Sequence, residues 1–157
     1  MPELRRTGSM VVASSPATLY DLVSDVTRMG DWSPICRACW WDEDPDSDGG
    51  PQPGAWFTGL NEVPGRVWET RSQVVAADRG REFTFVVGGS LVRWSYTFAP
   101  VAAGTLLTEE WEFLAAGLAV FAERFGERAA AEIADRSEAA RVGIPRTLAA
   151  IKRTAEA

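Results

Sequence analysis

Glu109 and Tyr96 are the two side chains whose types and positions could together do acid–base chemistry in this sequence. Glu109 alternates in step with Leu107 and Trp111 along a predicted strand, so its carboxyl group points to the same face as these apolar side chains. Tyr96 brings a phenol to the apolar face of the preceding strand. A buried carboxylate without a partner is costly or takes up a proton. Such groups fit a partly wet cavity better than a dry core.

The chain contains no histidine, and this absence excludes several kinds of site. A Ser-His or Cys-His nucleophile pair, a His-ligated zinc or haem and a histidine pH switch all need an imidazole. Lys152 is the only lysine, and a position so close to the C-terminus rarely desolvates an amine enough to form a Schiff base. Acid–base chemistry must therefore come from carboxylates, Tyr, Cys or water assisted by Arg.

Cys36 and Cys39 form a Cys-x-x-Cys motif, a spacing found in redox and zinc sites. A redox pair of the thioredoxin type begins a helix, whereas this pair runs into Trp40 and Trp41, which is typical of a strand. Residues three apart on a strand point to opposite faces, so we expect the two sulfur atoms to diverge. Zinc would need two more ligands, and the chain has neither a third cysteine nor a histidine. We therefore expect ordinary reduced cysteines.

The acidic segment Asp44–Gly49 matches the first half of a calcium-binding loop, Asp-x-Asp-x-Asp-Gly. The position of the bidentate glutamate is Ala55, and a strand rather than a helix should follow. A solvated acidic loop is therefore favoured over a calcium site. The glycine-rich phosphate-binding motifs and the Gly-x-Ser-x-Gly motif of serine hydrolases are also absent from the sequence. We expect neither a metal nor a cofactor.

Charge and hydropathy restrict the partners. The 16 basic residues against 22 acidic ones give a net charge of −6, which argues against binding to nucleic acid. The longest apolar stretch, Leu114–Ala122, spans about 9 residues, whereas a membrane helix needs about 20. No apolar run follows the basic residues near the N-terminus, so this segment is not a secretory signal. We expect a cytoplasmic protein that does not insert into membranes.

Hydrophobic periodicity predicts the elements that position these residues. A short strand over Met10–Ala13 precedes a helix that Ser15 caps and that continues to Val26. A loop follows from Asp42 to Gly54, and a helix from Leu118 to the end, which Gly143 and Pro145 should break or kink. Short turns between the strands in between indicate an antiparallel meander. These strands are Gly54–Val63, Arg66–Ala77, Glu82–Val87, Leu91–Ala99 and Leu106–Leu114.

Alternation along three of these strands puts aromatic side chains on one face of the predicted sheet. Phe121 and Phe125 lie on the apolar stripe of the C-terminal helix, opposite this face. A plain hydrophobic core would explain the spacing, whereas Glu109, Tyr96 and the inward-facing Asn61 favour a ligand cavity. The aromatic residues of the face are Phe83, Phe85, Trp94, Tyr96, Phe98, Trp111 and Phe113.

Short segments along nearly the whole chain carry a resemblance to a known family. They are Ser15-Pro16 with Leu19, Tyr20, Leu22 and Asp25, then Trp32-Ser33-Pro34, Gly59-Leu60-Asn61, Trp68-Glu69-Thr70, Val74, Phe83-Thr84-Phe85, the run Trp94–Phe98, Gly104-Thr105, Thr108-Glu109 and Thr147-Leu148 to Lys152. With this order of elements the chain resembles the SRPBCC (START/Bet v 1-like) superfamily, in its polyketide cyclase/dehydrase branch.

The resemblance implies a single α+β domain over residues 1–157 with a helix-grip fold. A seven-stranded antiparallel sheet would wrap around a long C-terminal helix, with two short helices after the first strand and an apolar cavity between sheet and helix. Members bind lipids, sterols, polyketides or other hydrophobic molecules. The expected ligand contacts are Trp32, Phe57, Asn61, Trp68, Phe83, Phe85, Trp94, Tyr96, Phe98, Glu109, Trp111, Phe113, Phe121 and Phe125.

The inward aromatic residues, together with this resemblance, leave three functions open. The chain could be a carrier or sensor of a hydrophobic small molecule, acting as a monomer or homodimer. It could instead be a cyclase or dehydratase that folds a poly-β-ketone, with Glu109 as general base and Tyr96 as donor to an enolate. A third alternative is a protein-interaction module of the chaperone-activator type, in which Trp40 and Trp41 form the contact; an edge strand with one Trp in and one out is the simpler interpretation.

Overall fold

The computed structural model describes residues 2–44 and 50–157. In these residues seven strands form one antiparallel sheet with the order β1-β7-β6-β5-β4-β3-β2, so β1 and β2 are its edges. The helices are α1 (Pro16–Val23), α2 (Ala115–Phe125) and α3 (Ala129–Glu156), with 3₁₀ helices at Val26–Asp31 and Gly126–Arg128. The strands are β1 (Arg5–Val12), β2 (Cys36–Trp41), β3 (Trp56–Val63), β4 (Arg66–Asp78), β5 (Glu82–Val87), β6 (Val92–Val101) and β7 (Gly104–Phe113).

This architecture confirms the expected α+β helix-grip fold. The two short helices after the first strand are α1 and the 3₁₀ helix over Val26–Asp31. Ser15 caps α1 by accepting a hydrogen bond from the Thr18 backbone N–H at 3.3 Å, and Pro16 occupies the first turn, where its missing N–H is harmless. The helix ends at Val23, three residues before the predicted end.

The first strand begins five residues earlier than its apolar run predicted. β1 pairs with β7 along its whole length, from Arg5 opposite Glu112 to Val12 opposite Thr105. Its exposed and half-buried residues alternate, because its outer face carries Arg5, Thr7 and Ser9. A run of apolar residues therefore predicts only the part of such an edge strand that is buried on both faces.

The C-terminal helical region differs from the prediction. It begins at Ala115, and its interruption falls at Gly126, whose φ of 53° suits glycine, rather than at Gly143 or Pro145. Both of those residues lie inside the continuous helix α3. Pro145 deprives only the carbonyl of Arg141 of its helical donor, and Arg141 is exposed, so water can replace the lost hydrogen bond.

Helix α3 packs against the inner face of the sheet at β1 and β7. Gly8 allows the close approach, because a Cβ atom there would lie 2.8 Å from Cγ2 of Ile144. Ile144, Leu148 and Ile151 of α3 are buried in the resulting core. This packing places the helix over the strand pair that carries Glu109.

Candidate functional site

The inner face of the sheet is lined by aromatic rings in edge-to-face and tilted contact. Phe57 lies 5.0 Å from Phe85 between ring centroids, and Phe85 lies 6.0 Å from Phe83. Tyr20 of α1 closes this group, at 6.3 Å from Phe83 and 5.6 Å from Phe98. Buried rings arranged in this way add stabilisation beyond the area that they bury.

Tyr96 and Glu109 meet directly within this apolar surface. The register of β6 and β7 sets them opposite each other, and the Tyr96 hydroxyl donates to Oε2 of Glu109 at 2.7 Å. Both residues are buried, Glu109 with only 2% of its surface exposed. Its other oxygen, Oε1, is buried and has no hydrogen-bond partner among the described residues. A buried polar atom left without a partner is costly, so this oxygen is where a ligand group would be stabilising.

Burial changes the charge of this carboxyl group. It raises the pKa of Glu109 from 4.5 to about 8, and the hydrogen bond from Tyr96 opposes the rise. Burial, followed by the charge and hydrogen bond of Glu109, raises the pKa of Tyr96 well above 10. Glu109 is therefore mostly a neutral acid at pH 7, with one O–H that can be donated. Strongly shifted pKa values of this kind are concentrated at functional sites.

A further polar contact on the inner face was not expected from the sequence. Arg6 lies opposite Trp111, and its Nε donates to the hydroxyl of Ser137 at 3.0 Å. Ser137 belongs to α3 and is 1% exposed. The sequence did contain one indication of this contact. Ser137 lies between Ile133 and Ala140 on the apolar stripe of the helix, where a buried serine needs a hydrogen-bond partner.

The predicted ligand contacts fall into groups rather than one cluster. Phe57, Phe83, Phe85, Tyr96, Phe98, Glu109, Trp111 and Phe113 are buried on the inner face, while Trp94 opposite Trp111 is half-buried. Asn61 and Trp68 face each other on β3 and β4, and the Nδ2 of Asn61 donates to Thr70 Oγ1 at 3.0 Å. Because β4 and β7 are three strands apart, Trp68 lies roughly 14 Å or more from Glu109.

Three of the predicted contacts lie outside the strands. Trp32 is buried at the end of the first 3₁₀ helix. Phe121 and Phe125 lie on α2, before the break at Gly126, and not on the long helix that was expected to carry them. Phe121 contacts Phe113 at 4.9 Å, so α2 closes the end of the inner face beyond Trp111.

The cysteine geometry overturns the expectation from strand periodicity. The register between β2 and β3 shifts between Cys36 and Ala38, a β-bulge that adds one residue. Cys36 consequently pairs with Asn61 and Cys39 with Gly59, two residues that share the inner face. Both cysteines are reduced and buried, as expected, but their sulfur atoms point to the same side rather than diverging.

The two tryptophans after Cys39 follow the simpler expectation. Trp40 is 42% exposed on the outer face, and Trp41 packs at 5.5 Å from Phe57 on the inner face. The calcium-like motif Asp44–Gly49 lies largely outside the described residues, which end at Asp44 and resume at Gly50. Within the described ranges, no cluster of three or more acidic or cysteine side chains could hold a metal ion.

Comparisons with known proteins agree with this fold. The family model for polyketide cyclase/dehydrase and lipid transport matches residues 4–156. The chain belongs to this family, within the SRPBCC superfamily and its polyketide cyclase-like branch. No protein with a curated function matches the sequence significantly. No helix in residues 2–44 and 50–157 has the length and apolar character needed to span a bilayer.

Comparison with solved structures leads to the same class of protein. A polyketide-cyclase-like protein from Corynebacterium glutamicum, solved by NMR, is 46% identical, with 99% of this chain and 94% of that chain covered and a TM-score of 0.70. The di-domain ARO/CYC StfQ of the steffimycin biosynthetic pathway is 16% identical, with 98% and 50% covered and a TM-score of 0.70. A START superfamily protein from Mycobacterium smegmatis is 18% identical, with 85% and 97% covered and a TM-score of 0.56. The last two likenesses concern the fold.

Proposed function

We propose that this protein binds a hydrophobic small molecule, of the lipid, sterol or polyketide class, between the inner face of its sheet and helix α3, as a carrier or sensor. The observation that carries the proposal is the unpartnered Oε1 of Glu109, buried within an aromatic surface. The family's description, which joins polyketide cyclases with lipid transport, supports the same classes of ligand.

The chemistry of the pair defines what the ligand must offer. Tyr96 already donates to Oε2, so a protonated Glu109 has a free O–H on its other oxygen. A ketone, ester or amide carbonyl would accept this hydrogen bond, while the remainder of the ligand contacts Phe98 and Trp111. An anionic group at the same place would be disfavoured above pH 8, where Glu109 itself becomes charged.

Native mass spectrometry and thermal shift against fatty acids, sterols and aromatic polyketides test the proposal. We expect at least one compound with a carbonyl group to bind in a one-to-one complex and to raise the melting temperature. Glu109→Ala should weaken that complex by about tenfold, the effect of one lost hydrogen bond in a dry site.

The matched control is Glu110→Ala. Glu110 is the next residue on β7, but it lies on the outer face and pairs with Arg5 at 2.8 Å. Its substitution should leave ligand affinity unchanged. Failure of every compound to bind, or equal losses of affinity in the two variants, would contradict the proposed site.

The same geometry favours a second function, cyclisation or dehydration of a bound poly-β-ketone. A carboxyl group with a pKa of about 8 is suited to proton transfer near neutral pH. Once deprotonated, Glu109 would act as general base, and the Tyr96 hydroxyl would turn from Glu109 to donate to the enolate oxygen that develops. Turnover of a poly-β-ketone analogue should fall at least about 100-fold in Glu109→Gln. Unchanged turnover in that variant would exclude this role while leaving ligand binding intact.

A further inference from the structure

Cys36 and Cys39 form a pair that the ligand site does not use. Their partners on β3, Asn61 and Gly59, are two residues apart, a span of roughly 6.6 Å. The bulge at Arg37 therefore fits three residue steps into a length that normally holds two. That separation is at the upper end of the Cα distances found in disulfides, roughly 4.4–6.8 Å.

The two thiols influence each other's protonation. The Cys39 thiol lowers the pKa of Cys36, against the opposing effect of burial. The Cys36 thiol, with burial, raises the pKa of Cys39. The Sγ–H of Cys36 points to the Ala38 carbonyl oxygen at 3.3 Å. One cysteine is thus the better nucleophile and the other keeps its proton, an asymmetry that favours stepwise exchange.

The surroundings place the sulfur of Cys36 beside Gly59 and hold the bulge in place. Gly59 lies opposite Cys39, and a Cβ atom on it would be 3.7 Å from Sγ of Cys36. The 3₁₀ helix over Val26–Asp31 packs on the bulge through Gly30, where a Cβ atom would be only 2.6 Å from the carbonyl oxygen of Arg37. The same-face arrangement is therefore fixed by tertiary packing.

We propose that Cys36 and Cys39 are a modification site, a dithiol that closes reversibly to an intramolecular disulfide by exchange with a small-molecule disulfide. The Cys36 thiolate attacks one sulfur of the small disulfide, forms a mixed disulfide and releases one small thiolate, which takes up a proton. Cys39 then loses its proton and attacks Sγ of Cys36, releasing the second small thiol. Two protein thiols are oxidised, and one small disulfide is reduced to two thiols.

Access to the buried thiols comes from the position of β2. Among residues 2–44 and 50–157, this strand is an edge of the sheet and is paired only with β3. Edge strands interrupted by a bulge have fewer ladder hydrogen bonds to break, so they open locally at a lower free energy than central strands. Local opening of β2 exposes Cys36 without unfolding the rest of the sheet.

The test equilibrates the whole folded protein with mixtures of reduced and oxidised glutathione, quenches it with acid and measures intact mass. We expect the folded chain to lose the mass of two hydrogen atoms, with an equilibrium constant about tenfold or more above that of the same chain in concentrated urea. Cys36→Ser and Cys39→Ser should block closure, and Cys39→Ser should retain glutathione on Cys36.

Three results would overturn the proposal. One is a folded chain that stays reduced under conditions where the urea-unfolded chain forms the disulfide. Another is wild-type protein that accumulates the mixed disulfide without closing, and the third is oxidation only between two chains. Disulfide formation in the folded and urea-unfolded wild type can still be compared if a serine variant fails to fold, and this comparison alone tests the proposal. Ligand affinity at Glu109 has no part in any of these readouts.

Discussion

Replacing Glu109 by glutamine should remove most of the pH dependence of stability between pH 5 and pH 8. Glutamine has nearly the same shape, and its side-chain oxygen can accept the hydrogen bond from Tyr96, but it does not titrate. In the wild type, the folded state raises the pKa of Glu109 to about 8, so it binds more protons than the unfolded state in this window. Stability must therefore fall as pH rises from about 4.5 to about 8, and level off above.

The size of the effect follows from the shift. Each tenfold change in an equilibrium constant is about 1.4 kcal/mol, so the full rise from 4.5 to about 8 corresponds to roughly 5 kcal/mol. Between pH 5.5 and pH 7.5 the wild type should lose about 2.5 kcal/mol of its free energy of unfolding. Glu109→Gln should lose less than about 0.5 kcal/mol over the same interval.

The chain has no histidine, so no imidazole titrates between pH 5 and pH 8 and obscures the effect of Glu109. The surface carboxylates whose pKa is lowered by arginine or lysine partners, such as Asp21 beside Arg79, act in the opposite sense and at lower pH. Their protonation destabilises the folded protein as pH falls below about 4. Cys36, whose pKa is lowered, is the other group to control for, and Cys36→Ser provides that background.

Urea unfolding followed by fluorescence of the seven tryptophans measures the effect at several pH values. Glu110→Gln is the control, since its side chain lies on the outer face beside Arg5 and should keep the wild-type pH slope. An equal slope in wild type and Glu109→Gln would refute the argument that Glu109 is a buried neutral acid.

Three further predictions concern packing and the exposed surface. Gly117→Ala should destabilise the fold by about 1–3 kcal/mol, because the added Cβ would lie 2.4 Å from the backbone oxygen of Leu91. Urea unfolding measures this loss, and an unchanged free energy of unfolding would show that α2 can move. Phe83→Ala should cost about 3–5 kcal/mol in the same assay, since the ring is fully buried between Phe85 and Tyr20; a loss below about 1 kcal/mol would mean that the core collapses around the gap. Trp40→Ala should change stability by less than about 1 kcal/mol and leave ligand binding intact, as an exposed outer-face residue; loss of a co-purifying partner in pull-down would revive the interaction-module alternative.

Much of the fold was predictable because its strands alternate in a simple way. Leu107, Trp111 and Phe113 share one face of β7, and the parity of Glu109 with them placed its carboxyl group inside correctly. The boundaries of β1 and of the C-terminal helices were wrong, since they depend on pairing with β7 and on the conformation of Gly126. Neither of these is a local property of the sequence.

The candidate site was predictable only in part. Strand parity indicated that Tyr96 and Glu109 both face inward, but it could not show that they lie opposite each other or that Oε1 remains without a partner. Arg6 and Ser137 were missed because their contact joins residues at the two ends of the chain. Such contacts depend on how α3 is seated on the sheet, and helix periodicity defines only the face that is buried.

By itself the sequence determined which chemistry is possible. It contains no imidazole, it places one carboxyl group and one phenol among inward aromatic side chains, and it has two cysteines three residues apart. The tertiary structure decided how these groups meet. The register of β6 and β7 joined Tyr96 to Glu109, and the bulge held by Gly30 turned both sulfur atoms to one face. The physical reason is that side-chain direction follows a local period of two, whereas register and bulges are set by pairing with distant strands.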